Sequence, residues 1–274
     1  MLTETFQSII TAARKVFTNW RAMLLIAIVY AALLAVLYFF VVIREATFVQ
    51  VSLTFASAIV APLLFFVLQA MIASEDDELP GSLIKRSLTS FWKLILVTLP
   101  LVALAVLIVY LLGKAQAHFD ANVRDAAAAL PRRAAAMANA RDAASSIDWK
   151  AAMLATIRYL TFGLVLPLAA IHLWLATVRE GLVPGIIKLR HHLAHAFAPQ
   201  SVLIYIAGFL VFGVAPYFLL FKTTQTKHAW LELSLLVTRL VIVFALTLFG
   251  WVITVRALAN FSRGHLPQRA DEAA

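Results

Sequence analysis

Two arginines, a histidine and a glutamine fall inside the long apolar stretches of this chain, where their chemistry is most costly to accommodate. Arg158 and Arg239 each lie several residues into a stretch made otherwise mostly of Leu, Ile, Val, Phe and Ala. An ionisable group at hydrocarbon depth is expensive, so it either serves a function or snorkels to the interface. As a pair the two guanidinium groups could converge on one anionic group, a lipid phosphate or a transported anion. Arg239 also stands one heptad from Glu232, which it could partly satisfy. His172, in Ala170-Ile171-His172-Leu173-Trp174, reads as a helix–helix hydrogen-bonding residue ahead of a proton relay, and Gln69 reads the same way.

His191, His192 and His195 offer metal-ligand chemistry, because positions 191 and 195 share a helix face. A zinc site needs at least a third protein ligand. No acidic residue lies nearby in sequence, so the three histidines read as the polar face of a surface helix and no metal or cofactor is expected. With no Cys in the chain, disulfides, thiolate metal sites and thiol nucleophiles are excluded. There is no His-Glu-x-x-His, Gly-x-Ser-x-Gly or P-loop, and no span carries an Asp. With neither a nucleophile nor a metal-activated water beside a base, the sequence predicts no enzyme.

The elements that position these residues are membrane helices. Of 274 residues 63% are hydrophobic and the mean hydropathy is +0.90, against about 45–50% apolar residues in soluble domains. Six runs are long enough to span a bilayer: Met23–Ile43, Val49–Ala73, Leu94–Gly113, Ala151–Thr177, Val202–Phe221 and Ala229–Val255. They are continuous rather than alternating, which favours helices over a barrel. The first is long, lacks a small-residue cleavage pattern and reads as a retained span.

The net charge is +9 with a pI near 10.1. Most of this charge flanks the spans, where basic residues meet anionic headgroups, and nothing in it resembles a nucleic-acid groove. With the amino terminus inside, Arg14, Lys15, Arg21, Lys85, Arg86, Lys93, Arg179, Lys188 and Arg190 are cytoplasmic. Arg256, Arg263 and Arg269 join them, while the two short outer loops hold Arg44, Lys222 and Lys227 and the long loop between the third and fourth spans adds Lys114, Arg124, Arg132, Arg133, Arg141 and Lys150. The balance is twelve against nine, or twelve against three without the long loop, whose Arg132 and Arg133 lie away from the span ends; the positive-inside rule read in this way predicts both termini in the cytoplasm.

A closely similar octapeptide occurs twice, Leu79-Pro80-Gly81-Ser82-Leu83-Ile84-Lys85-Arg86 and Val183-Pro184-Gly185-Ile186-Ile187-Lys188-Leu189-Arg190. Each leads into an amphipathic stretch and then a span. A third such stretch opens the chain, with Leu2, Phe6, Ile9, Ile10, Ala13, Val16, Phe17 and Trp20 opposite Thr3, Gln7, Thr11, Arg14 and Lys15. These read as helices lying in the headgroup plane. Pro80 and Pro184 suit a first helical position. Leu53-Thr54-Phe55 before Pro62 echoes Leu160-Thr161-Phe162 before Pro167.

The predicted fold is therefore an all-α integral membrane protein. Its six transmembrane helices form three hairpin units, about 1–73, 74–177 and 178–258, each preceded by an amphipathic interfacial helix. Together they make a single membrane domain over 1–258. The Ala-rich segment 114–150 is expected to be a helical outer loop, and 259–274 a flexible cytoplasmic tail.

At Pro80-Gly81-Ser82-Leu83-Ile84-Lys85-Arg86 and Phe91-Trp92-Lys93-Leu94-Ile95, the chain resembles a broad group of bacterial six-span membrane domains. Some of these are fused to glycerophosphoryl diester phosphodiesterases. The resemblance implies a bacterial inner membrane. No phosphodiesterase domain is present, so that activity does not carry over. The expected partners are membrane lipids, and a protein at the cytoplasmic face, docked by Lys85, Arg86, Lys188 and Arg190. The alternative is a transporter for an anionic or lipid substrate.

Overall fold

Among the described residues the chain folds as helices, and no strand occurs there. A computed structural model describes residues 2–43, 47–74, 80–128, 149–221 and 229–264. The helices are α1 (Leu2–Thr18), α2 (Trp20–Val42), α3 (Phe48–Ala73), α4 (Pro80–Ala128), α5 (Trp149–Leu160) and α6 (Leu166–Glu180). They continue as α7 (Leu182–Ile187), α8 (Leu189–Ala196), α9 (Pro199–Phe209), α10 (Ala215–Phe221) and α11 (Ala229–Gly264). Six helical stretches are long and apolar enough to cross a membrane: Trp20–Val42, Phe48–Ala73, Gly81–His118, Ala152–Glu180, Pro199–Phe221 and Trp230–Ser262. The chain is an all-helical, polytopic membrane protein.

Helix ends follow local chemistry. Thr47 and Gln50 form a capping box at the start of α3, the Thr47 side chain accepting from the Gln50 backbone and the Gln50 side chain from the Thr47 backbone. Asn19 separates α1 from α2 and accepts from the Ala22 backbone N–H. Gly181 ends α6 with φ +92°, a conformation that costs a residue without Cβ little. Pro184 is the third residue of α7 rather than the first. It still falls in the opening turn, where the backbone N–H has no intrahelical acceptor.

Two turns are π-helical, Thr161–Val165 between α5 and α6 and Leu210–Val214 between α9 and α10. Each lies just before a proline, Pro167 or Pro216, which lacks a backbone donor and crowds the carbonyl four residues earlier. The i→i−5 bonds Leu166 N–H to Thr161 O and Ala215 N–H to Leu210 O take up the extra residue. Pro62 sits inside α3 with no such turn, so the paired Leu-Thr-Phe motifs do not share a local structure.

The described chain forms two compact units, 1–97 with 168–274, and 98–167. These borders do not coincide with the three hairpin units expected from sequence. In the larger unit α2 packs along α3, α1 and α9 pack on α11, and α3 also touches α11. Its core is the carboxyl-terminal part of the fourth span, where every residue from Leu168 to Val178 is buried. In the apolar 18-residue window of each span, 61% of the residues are buried in the fourth and 11–17% in the other five, so the carboxyl-terminal part of the fourth span is enclosed and the rest present apolar faces outward.

Three further expectations need correction. The second amphipathic stretch is not a separate surface helix. Residues 80–128 form one uninterrupted helix that includes the third span, because no Asn-like cap or Gly intervenes between Trp92 and Leu94. The third stretch is broken at Lys188 into the short α7 and α8. The tail also begins later than residue 259, since α11 runs to Gly264 and Ala259 is buried. Of the segment 114–150, the part up to Ala128 belongs to α4; residues 129–148 lie outside the described residues, as do 265–274.

Candidate functional site

The surface helix α1 carries three faces rather than two. Thr5, Ile9, Ala12 and Val16 recur at helical spacing; Thr5, Ala12 and Val16 are buried and Ile9 half-buried. This stripe faces the protein, where Ser8 Oγ donates to the Ala257 carbonyl at 3.0 Å. One residue further round lies a second apolar stripe of Phe6, Ile10, Ala13 and Phe17. Phe6 and Phe17 keep 69% and 67% of their surface exposed. Gln7, Thr11, Arg14 and Thr18 make the third, polar face, also exposed. Phe17 stacks on Phe249 at 5.6 Å, and Val16, Phe17, Trp20, Met23, Leu24 and Phe249 wall an apolar groove.

The start of α4 repeats this division. Leu83, Ser87, Ser90, Leu94 and Val97 are buried, while Ile84 and Leu88, one position further on, are exposed. Of the predicted docking cations, Lys85 and Arg190 are exposed, Arg86 is half-buried, and Lys188 binds Glu180 at 2.9 Å.

Glu180 is the acidic neighbour that sequence distance concealed. Its other oxygen lies 3.9 Å from His192 Nε2. Burial holds the His192 imidazole below its usual pKa of 6.5, outweighing the opposing pull of Glu180. His191 and His195 bring their Nε2 atoms to 3.2 Å, as i, i+4 spacing dictates. Among the described residues no three His, Cys, Asp or Glu side chains group as metal ligands.

Within the membrane-spanning part, Gln69 and Trp251 form a side-chain pair between α3 and α11, Trp251 Nε1–H donating to Gln69 Oε1 at 3.0 Å. Next to it Tyr30 donates to Thr247 Oγ1 at 2.9 Å, joining α2 to α11. These residues, with Leu33, Phe65 and Phe212, line a cleft of about 310 Å³. His172 is 4% exposed in the enclosed helix, and its Nε2 has no hydrogen-bond partner among the described residues. The interhelical bond expected there is absent at that atom.

Arg158 and Arg239 belong to different compact units. In the smaller unit Arg158 is exposed and borders a cleft, also of about 310 Å³, with Gln116, Tyr159 and Phe162. Tyr110, Trp149 and Tyr159 in the same unit are also exposed. In the larger unit Arg239 is half-buried on α11 and partnered. Glu232 is exposed near the start of the same helix.

Comparison with protein-family models, with curated proteins and with solved structures gives no match. The functional reading therefore rests on the residues themselves.

Proposed function

We propose that the chain is a non-enzymatic membrane protein that engages lipid through surface helices at the cytoplasmic face and serves membrane organisation or lipid handling. The observation that carries this is the second apolar stripe of α1. Phe6, Ile10 and Phe17 stay exposed although an adjacent apolar stripe is already buried against α11. A helix with protein on one side, apolar residues on the next and Arg14 and Lys15 beyond them fits the boundary between headgroups and acyl chains. The abundance of basic residues beside the inner ends of the spans supports cytoplasmic termini, and the resemblance noted above supports a bacterial inner membrane.

The test uses Trp-free protein carrying a single Trp at position 10 or 17, reconstituted with phospholipids brominated on the acyl chains. Quenching at both positions, and none at a Trp replacing Thr11, is the expected result. Equal accessibility of all three to aqueous iodide refutes the placement of α1.

Transport of an anionic or lipid substrate is the second reading, favoured by the position of Arg158 at the rim of its cleft. Here Arg158→Gln abolishes uptake of an anionic substrate into proteoliposomes; retained uptake rules out a role for this arginine.

A further inference from the structure

The Gln69–Trp251 pair fixes more than a helix contact. An indole N–H only donates, so the Gln69 atom facing it must be the oxygen, and the amide NH2 must point elsewhere. That NH2 donates to no described residue, yet Gln69 is only 3% exposed and lines the cleft between α2, α3 and α11. The amide nitrogen is not among the enclosed unpartnered atoms, so it opens onto the cleft, where at membrane depth no bulk water is at hand to accept from it. The remaining wall is apolar and aromatic, from Leu33, Phe65, Phe212 and Trp251, with Tyr30 deeper along α2. A mostly apolar cleft with a few convergent polar groups is the usual form of a small-molecule site.

Depth limits the occupant. Gln69 lies four residues before the end of α3 at Ala73, about 6 Å along the axis. Tyr30 lies ten residues from the start of α2 at Trp20, about 15 Å along its axis and near the middle of a ~30 Å hydrocarbon layer. The cleft thus runs from the level of lipid ester groups toward the bilayer centre. We infer that it holds one ester-linked acyl chain of a membrane phospholipid, whose ester carbonyl accepts from the Gln69 amide. The chain lies along Leu33 and Phe65, and the Tyr30–Thr247 bond marks the deeper part of the wall. This goes beyond lipid contact by α1, since α1 contributes no residue to the cleft.

The experiment places the full chain in nanodiscs of phosphatidylethanolamine and phosphatidylglycerol. Trace phosphatidylglycerol carries a mid-chain diazirine on either an ester-linked or an ether-linked chain. The ester probe should crosslink to Leu33, Phe65 and Phe212, and the ether probe about five-fold less, the loss expected for one hydrogen bond. Gln69→Leu should lower the ester signal to the ether level. Equal labelling by the two probes in the unaltered protein overturns the assignment without requiring that any variant fold. Disulfide-linked dimers of a Phe212→Cys variant, with no lipid adduct at Leu33 or Phe65, overturn it as well, because the cleft would then be a subunit interface. Either result leaves the brominated-lipid test of α1 unaffected.

Discussion

Trp251 on α11 donates its indole N–H to the side-chain oxygen of Gln69 on α3, at 3.0 Å, across 182 positions of sequence. The pair ties the first hairpin to the last helix, and both residues also wall the α2–α3–α11 cleft. Interhelical hydrogen bonds in membranes contribute modestly, about 0.6 kcal/mol on average and up to about 1.7. A double-mutant cycle with Gln69→Leu and Trp251→Phe should give a coupling energy in that range, read from unfolding in detergent micelles. A coupling indistinguishable from zero would mean the bond is not formed.

A second tie is steric. A Cβ on Gly208 would run into the Thr254 side chain, and one on Gly250 would come within 2.9 Å of the Phe212 Cβ. Gly208→Ala and Gly250→Ala should each destabilise by about 1–3 kcal/mol, the usual cost of overpacking. Thr254→Ala removes two of the three atoms that Gly208→Ala meets and should recover part of its loss. Gly113 on α4 has nothing within 4 Å of a built Cβ. There Ala should raise stability by up to about 1 kcal/mol through helix propensity. Thermal unfolding of the purified variants distinguishes these signs, and equal effects at 113 and 208 would contradict the close approach.

The degree to which sequence foreshadowed this arrangement follows from what a bilayer hides. The number of spans was legible because hydropathy reports length directly, and Phe48–Ala73 departs by one residue from the expected Val49–Ala73; the limits were less so where an amphipathic stretch continues the helix, since Gly81–His118 replaces the expected Leu94–Gly113. The enclosure of Leu168–Val178 was not legible. Lipid and protein interior are equally apolar, so a fully buried helix and a lipid-facing one can share a composition. The stripe of α1 was legible as apolar, but Val16 and Phe17 are neighbours in sequence. Only packing on α11 decides that one is buried and the other exposed. Gln69 was recognised as a hydrogen-bonding type, while its partner Trp251 depended on tertiary contact. Glu180 was missed beside His192 because the turn at Gly181 folds the chain back.

His192 gives the larger unit a pH response. Its folded pKa lies below 6.5 because burial disfavours the charged ring. At pH 7.5 the ring is neutral in both folded and unfolded chains, and the group leaves stability unchanged. As pH falls through about 6.5 the unfolded chain takes up the proton first, so stability declines until the folded pKa is passed. The melting temperature of the unaltered protein should therefore fall more steeply between pH 7.5 and 5 than that of His192→Asn. Parallel curves would remove His192 as the source.

Lys85, Arg86, Lys188 and Arg190 are the cations expected to dock lipid or a partner, and their environments differ. Lys188 is held by Glu180 at 2.9 Å with 57% of its side chain exposed, an arrangement that contributes little to stability. Lys85 and Arg190 are exposed, with no ion pair to a described residue, and should carry more of any headgroup attraction. Each basic residue near an anionic surface is worth about 1 kcal/mol, screened within a Debye length. Charge reversal of all four should cut co-purification of phosphatidylglycerol by at least ten-fold at low salt, and raising the salt should narrow the difference. Reversal of Lys188 alone should have the smallest effect of the four, because the Glu180 carboxylate already neutralises it. If the fourfold variant retains phosphatidylglycerol and every co-purifying protein at the original level, docking through these residues is refuted, and the exposed stripe of α1 and the Gln69 cleft remain as the lipid contacts proposed here.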